Sequence, residues 1–104
     1  MSVTILKTKR TTSSATIFTS AGTLFANNEA RVSYKINNLG TNPLYVKEGS
    51  GVTTSDFSYV LAAGTSNDNG TGASYDSPNG QCYTGPITVT GTSPRYNGLE
   101  RSQL

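Results

Sequence analysis

Six carboxylates, Glu29, Glu48, Asp56, Asp68, Asp76 and Glu100, carry the acidic chemistry of this 104-residue chain. Two of them facing each other across a cleft, with pKa values pushed apart, would make a glycosidase. Nothing in their spacing sets up such a pair, and each sits in or beside a run of turn residues, where acids are common. The chain has no histidine, which removes Ser-His-Asp and Cys-His machinery, imidazole ligation and the side chain that ordinarily titrates near neutrality. Its single cysteine, Cys82, cannot close an internal disulfide or build a zinc cluster. It reads as a small, partly buried thiol. These absences predict a protein that is not an enzyme and carries no cofactor or metal.

Short motifs add little to that chemistry. Asn67-Asp68-Asn69-Gly70 has an oxygen-rich start but lacks the alternate-position ligands and distal bidentate Glu of a helix-flanked calcium loop. It reads as a solvated turn, with a calcium-stabilised loop as the alternative. Gly49-Ser50-Gly51 and Gly70-Thr71-Gly72 lack the Lys-Ser/Thr or third glycine of nucleotide-binding loops. Asn69-Gly70-Thr71 matches a glycosylation acceptor. It reads as a turn, because the apolar stretch at residues 3–6 precedes its positive charges and is too short for a secretion signal. A soluble protein made in a cytosol is expected, with no membrane partner.

Two surface resources remain. Lys7, Lys9 and Arg10 form the one basic cluster, in a chain of net charge +2. That imbalance is weak for nucleic-acid binding; the cluster reads first as solvated surface residues, with an arm docking on an acidic protein surface as the functional alternative. Six tyrosines supply large contact area with a polar tip, the chemistry enriched in interface cores. Alternation assigns Tyr34 and Tyr59 to the core. Tyr45, Tyr75, Tyr83 and Tyr96 are freer, and Tyr45, Tyr75 and Tyr96 join the basic residues as candidate partner-binding groups.

The elements that must position these groups are strands. Residues 30–37 alternate Ala30, Val32, Tyr34 and Ile36 with Arg31, Ser33, Lys35 and Asn37, the period of a half-buried strand. Turn residues follow, and Pro43 opens the run Leu44-Tyr45-Val46-Lys47, so the two runs predict an antiparallel hairpin. Phe57, Tyr59 and Leu61 would share one face of a further strand, and Ile87 and Val89 point inward from another. Residues 16–19, 22–26 and 3–6 are further strand candidates at edges. No stretch carries a helical stripe.

Composition agrees with this reading. Charged residues are 13% of the chain, while Thr, Ser, Gly and Asn number 16, 13, 11 and 9. About a quarter charged is usual, so the surface is neutral and hydroxyl-rich. The expectation is an all-β domain, a small β-sandwich or jelly roll of seven to eight short antiparallel strands. Residues 1–14 would supply an N-terminal strand and a polar basic arm, and residues 15–104 a single domain. Residues 64–80 would form a long flexible loop.

Three segments resemble a pattern in small tailed-phage virion proteins. Asn38-Leu39-Gly40-Thr41-Asn42-Pro43-Leu44-Tyr45-Val46-Lys47, followed by Gly49-Ser50-Gly51, resembles their N-x-G-x-N-P-aliphatic-aromatic-V turn and strand before a Gly-rich loop. Phe57-Ser58-Tyr59-Val60-Leu61-Ala62-Ala63-Gly64 resembles their F-x-x-x-L-x-x-G strand. Tyr83-Thr84-Gly85-Pro86-Ile87-Thr88-Val89 resembles their Y-x-G-x-I-x-V closing strand, and Pro94-Arg95-Tyr96 with Glu100 their C-terminal tail. The resemblance covers about residues 31–100. It implies an accessory virion component: a homo-oligomeric, trimeric decoration (cement) protein that binds the major capsid protein and stabilises the shell. The alternative is a tail, adaptor or fibre-associated module that binds host-surface glycan. In the first case the N-terminal segment would dock and the 64–80 loop would be the exposed tip.

Overall fold

Period-two patterning and β-branched residues give eight strands in the computed structural model, which describes residues 8–12, 16–78 and 80–103, with 8–12 and Gln103 described by their backbone only. They are β1 (Thr8–Thr12), β2 (Gly22–Phe25), β3 (Arg31–Asn38), β4 (Leu44–Glu48), β5 (Tyr59–Leu61), β6 (Ser74–Asp76), β7 (Ile87–Thr90) and β8 (Tyr96–Gln103). There is no helix among the described residues. All pairings are antiparallel, in two four-stranded sheets ordered β1-β8-β3-β6 and β2-β7-β4-β5. Every connection crosses between the sheets except β4 to β5. This double-sheet wrapping is the jelly roll.

The core lies between the sheets. Tyr34, Ile36 and Tyr96 face inward from one, and Phe25, Leu44, Val46, Leu61, Ile87 and Val89 from the other. Each fully buried aliphatic of this kind contributes about 1.5–3 kcal/mol, so a chain of low apolar content concentrates its stability in few residues. Gly98 on β8 makes room for one of them. A Cβ there would stand 2.8 Å from the Phe25 ring and 2.9 Å from Leu24.

Several expectations need correction. The predicted hairpin does not form. β3 pairs with β8 and β6, and β4 with β7 and β5, so residues 39–43 carry the chain across the sandwich instead of turning it back. Leu39 N–H donates to Arg95 O, and Gly64 N–H to Gly40 O, tying this turn to two other loops.

The alternation of β3 also breaks. A register shift between Arg31 and Ser33 is a β-bulge, which reverses the side-chain parity. Arg31 turns inward at 4% exposure, and Val32 is only partly buried.

Phe57 does not share a face with Tyr59 and Leu61. Regular pairing begins at Tyr59, and Ser58 donates its N–H to Val46 O while its Oγ accepts from Glu48 N–H, leaving Phe57 outside at 40% exposure. Residues 16–19 contribute only an isolated bridge, Phe18 with Tyr96. The expected strand at 3–6 lies outside the described residues.

The polar arm is in part a strand: Thr8–Thr12 pairs with β8 from Thr8↔Gln103 to Thr12↔Leu99. The segment read as a C-terminal tail is that same β8, an interior strand of its sheet. The 64–80 loop contains β6, which pairs with β3. It is also bonded through Asp68 N–H to Leu39 O and Ala73 N–H to Ala62 O. Thr and Asn side chains, short of a core to fill, satisfy this loop locally: Asn69 Nδ2 donates to Thr65 Oγ1 at 2.8 Å, and Thr71 N–H to Asn69 Oδ1 at 3.1 Å.

Candidate functional site: two outward surfaces and the clamps behind them

Strand parity decides which β4 residues face out. Leu44, Val46 and Glu48 point inward and Tyr45 and Lys47 outward, following the burial alternation. Across the ladder Tyr45 pairs with Val60, and the Phe57 ring meets Tyr45 edge-on at 5.1 Å. Phe57 and Val60 are 40% and 42% exposed. These three residues form an apolar patch on the outer face at the β5 edge. Lys47 and Asp56 border it with an ion pair at 2.7 Å. Isolated exposed apolar residues are ordinary; here three of them are contiguous and rimmed by charge.

A second surface lies at one end of the sandwich, where the β1–β2, β3–β4, β5–β6 and β7–β8 connections converge. An open cleft there is lined by Thr19, Thr41, Asn42, Asn67, Ser93 and Arg95, with Pro94 beside them. Arg95 is fixed by a two-pronged bond to Asp68, Nε to Oδ1 at 2.8 Å and Nη2 to Oδ2 at 2.6 Å. That guanidinium holds the Asp68 carboxyl below the usual carboxylate range. Behind the cleft, Asn38 latches the loops. Its Nδ2 donates to Asn42 O, Leu61 O and Ala62 O, and its Oδ1 accepts from Gly40 N–H. Gly72 permits this latch, because a Cβ there would overlap Asn38 O.

Two interior clamps rigidify the frame. Arg31 spends all five donors: Nε and Nη2 on Glu100 Oε2, Nη1 on Tyr83 O and Gly85 O, and Nη2 also on Ala26 O. Its carbon Cζ lies 5.4 Å from the Phe25 ring centre, a cation–π stack. Tyr34 donates its hydroxyl proton to Glu48 at 2.6 Å, so Tyr59, 2.9 Å away, donates to Tyr34. Burial, first of all, pushes both tyrosine hydroxyls well above their ordinary pKa. Sequence reasoning missed both clamps. Arg31 sat on the polar face of the alternation, and a bulge leaves no trace in hydropathy.

The predicted partner-binding residues scatter. Tyr45 belongs to the outward patch. Tyr75 packs on Tyr59 at 4.5 Å and on Tyr34 at 5.6 Å, so it extends the inner tyrosine cluster. Tyr96 is 2% exposed, stacked on Phe18 at 5.7 Å and bonded through its hydroxyl to Ser20 O. It is a core residue and not a docking group. Lys9 and Arg10 fall on β1 opposite Ser102 and Arg101, and Lys7 lies outside the described residues.

The carboxylates are dispersed as well: Glu48 serves Tyr34, Asp56 serves Lys47, Asp68 serves Arg95 and Glu100 serves Arg31. Cys82 packs against the core and its Sγ lies 3.7 Å from Arg31 O. Burial raises its thiol pKa. Among the described residues no helix is long and apolar enough to cross a membrane, and no cluster of His, Cys, Asp and Glu is placed to hold a metal. Compared with known protein families, curated proteins and solved structures, the chain matches none.

Proposed function

We propose that this chain is a non-enzymatic accessory protein of a phage virion, a decoration protein that works by contact. The observation that carries the reading is the outward patch of Tyr45, Phe57 and Val60 on a jelly-roll frame. Jelly rolls build viral capsid domains, and also lectins and cupins, so the fold supplies an analogy and the patch supplies the argument. The virion setting comes from the sequence resemblance.

In this reading the patch seats on a shallow apolar surface of the major capsid protein. The Lys47–Asp56 pair at its rim sets orientation more than affinity. Copies assemble as a homo-oligomer, a trimer where the resemblance is followed, so that weak single contacts sum through multivalency. Partner burial also adds to the stability of a chain with a thin core.

Purified empty capsids mixed with the protein provide the test. Stoichiometric co-sedimentation and a raised capsid melting temperature are expected, with both lost in the F57S/V60T variant. Absence of binding by the wild-type protein overturns the decoration reading. The second reading, a tail or fibre-associated module, is favoured by the polar cleft at the loop end. Gold-labelled antibody on intact virions separates the two, since labelling confined to tails excludes decoration.

A further inference from the structure

The chain carries three Asn-Gly pairs, at 69–70, 79–80 and 97–98. In such a pair the asparagine is open to attack by the next backbone nitrogen, because glycine has no Cβ to obstruct a close approach. Asn79 lies outside the described residues, and the other two pairs stand in opposite settings. Asn97 and Gly98 belong to β8, as ladder partners of Asn37 and Ile36, and Gly98 is hemmed in by Phe25 and Leu24. Asn69 and Gly70 are exposed in the β5–β6 connection. Nothing lies within 4 Å of a Cβ built on Gly70, and the Gly70 N–H has no partner among the described residues.

A closed ring of three side chains singles out Asn69. Asn69 Nδ2 donates to Thr65 Oγ1 at 2.8 Å. Thr71 Oγ1 donates to Asn69 Oδ1 at 2.5 Å, which uses its one proton, so Thr65 is the donor in the 3.1 Å contact between the two hydroxyls. Thr65 N–H also donates to Thr71 Oγ1 at 2.7 Å, and Thr71 N–H to Asn69 Oδ1 at 3.1 Å. Two donors therefore converge on the amide oxygen, and an unbroken path of hydroxyls joins that oxygen to the amide nitrogen.

We propose that Asn69 is a self-modifying site, where the chain converts its own amide to a carboxyl group through the Gly70 nitrogen. Water takes the Gly70 amide proton, the nitrogen bonds to Asn69 Cγ, and the carbonyl π pair moves onto Oδ1. Thr71 N–H and its hydroxyl hold that oxyanion, the arrangement that stabilises tetrahedral intermediates of acyl transfer. Water returns the proton to Oδ1. The two hydroxyls then reverse and pass one proton each along the ring, from Oδ1 to Thr71, Thr71 to Thr65 and Thr65 to Nδ2. The carbonyl re-forms, the Cγ–Nδ2 bond breaks, and ammonia leaves with the electron pair. A second water opens the cyclic imide at either carbonyl, giving aspartate or isoaspartate. The product sets a new negative charge beside Asp68, so the charge of this loop rises with the age of the protein.

This assignment is independent of the docking patch and of where the protein sits on a particle. Peptide mapping by mass spectrometry tests it on the full chain, incubated folded and in urea at the same pH. Relative to urea, folding should speed conversion at Asn69 and slow it at Asn97. Thr71→Val keeps the backbone N–H but loses the hydroxyl, and should slow conversion of folded Asn69 about tenfold. One such donor is worth about a hundredfold or more in an enclosed site, and here solvent surrounds the ring. Thr71→Ser should restore the wild-type rate, and Thr65→Val, which breaks the path but leaves both donors on Oδ1, should fall between. Folded Asn69 converting no faster than in urea, Thr71→Val or Thr65→Val at the wild-type rate or above, or Thr71→Ser as slow as Thr71→Val would each overturn the proposal.

Discussion

The two ends of the jelly roll handle their polar groups in opposite ways. At the end where the β2–β3 and β6–β7 connections meet, Arg31 satisfies three backbone carbonyls and Glu100, and none of its donors is left for a partner. At the other end Asn38 latches the loops from behind while Asn42, Asn67 and Ser93 stay unspent in front. The difference teaches how a chain poor in apolar residues holds its shape. It uses a few desolvated polar clamps as structural joints and leaves the cheap, neutral hydroxyls and amides outside. Polar groups of similar type therefore either join the frame or face solvent, according to where the chain places them.

The sealed end should break hardest. Arg31→Met keeps the volume but orphans Glu100 and three carbonyls, and should cost about 3–5 kcal/mol of a total of about 5–15 kcal/mol. Urea denaturation measures this directly. Arg31→Lys should rescue little, because one ammonium cannot reproduce the planar fork. If Arg31→Met changes stability no more than N42A/N67A does, the contrast between the ends is wrong.

The tyrosine clamp should give a smaller effect. Tyr34→Phe removes the donor to Glu48 and the acceptor for Tyr59, costing about 1–3 kcal/mol. It also carries a pH signature. The folded pKa values of Tyr34 and Tyr59 lie above the unfolded value of about 10. The neutral forms are thus favoured by folding, and stability is complete below pH ~10 and lost as pH rises beyond it. Each of these tyrosines should remove about 1.4 kcal/mol per pH unit in that range. Denaturation curves taken across the alkaline range should lose part of this slope in Tyr34→Phe, and an unchanged slope would contradict the clamp.

The smallest effect belongs to the Asp68–Arg95 pair, which is exposed. Asp68 has its folded pKa depressed by Arg95, so its contribution is present above the ordinary carboxylate pKa and fades as pH falls through the folded value. Carboxyl ¹³C titration of wild type and Arg95→Gln should show the Asp68 midpoint rising in the variant, with little change in melting temperature. A fall in melting temperature as large as that of Tyr34→Phe would move this pair from surface trim to structural joint.

Much of the fold was legible in sequence because alternation and turn chemistry are local. The strands at 31–38, 44–48 and 87–90, the all-β class and the jelly-roll alternative follow from residue type and period. The site was far less legible, since its parts are set by non-local events. The β3 bulge that turns Arg31 inward and the loop crossing at 39–43 depend on partners about 50 to 70 residues away. The same holds for Tyr96, whose hydroxyl finds Ser20 O only after β8 enters the sheet. Sequence leaves Tyr45 undivided from Tyr75 and Tyr96, which the structure places inward, and it puts Phe57 on one face with Tyr59 and Leu61 because the strand is read two residues too long.

The central claim is that the protein works through contact at the outer β4–β5 face. Hydrogen–deuterium exchange of the chain alone and bound to capsids tests it most directly. The account predicts new protection at residues 44–48 and 57–61, with the Arg31 end unchanged. Capsid binding with protection elsewhere, or with none at this face, would contradict it.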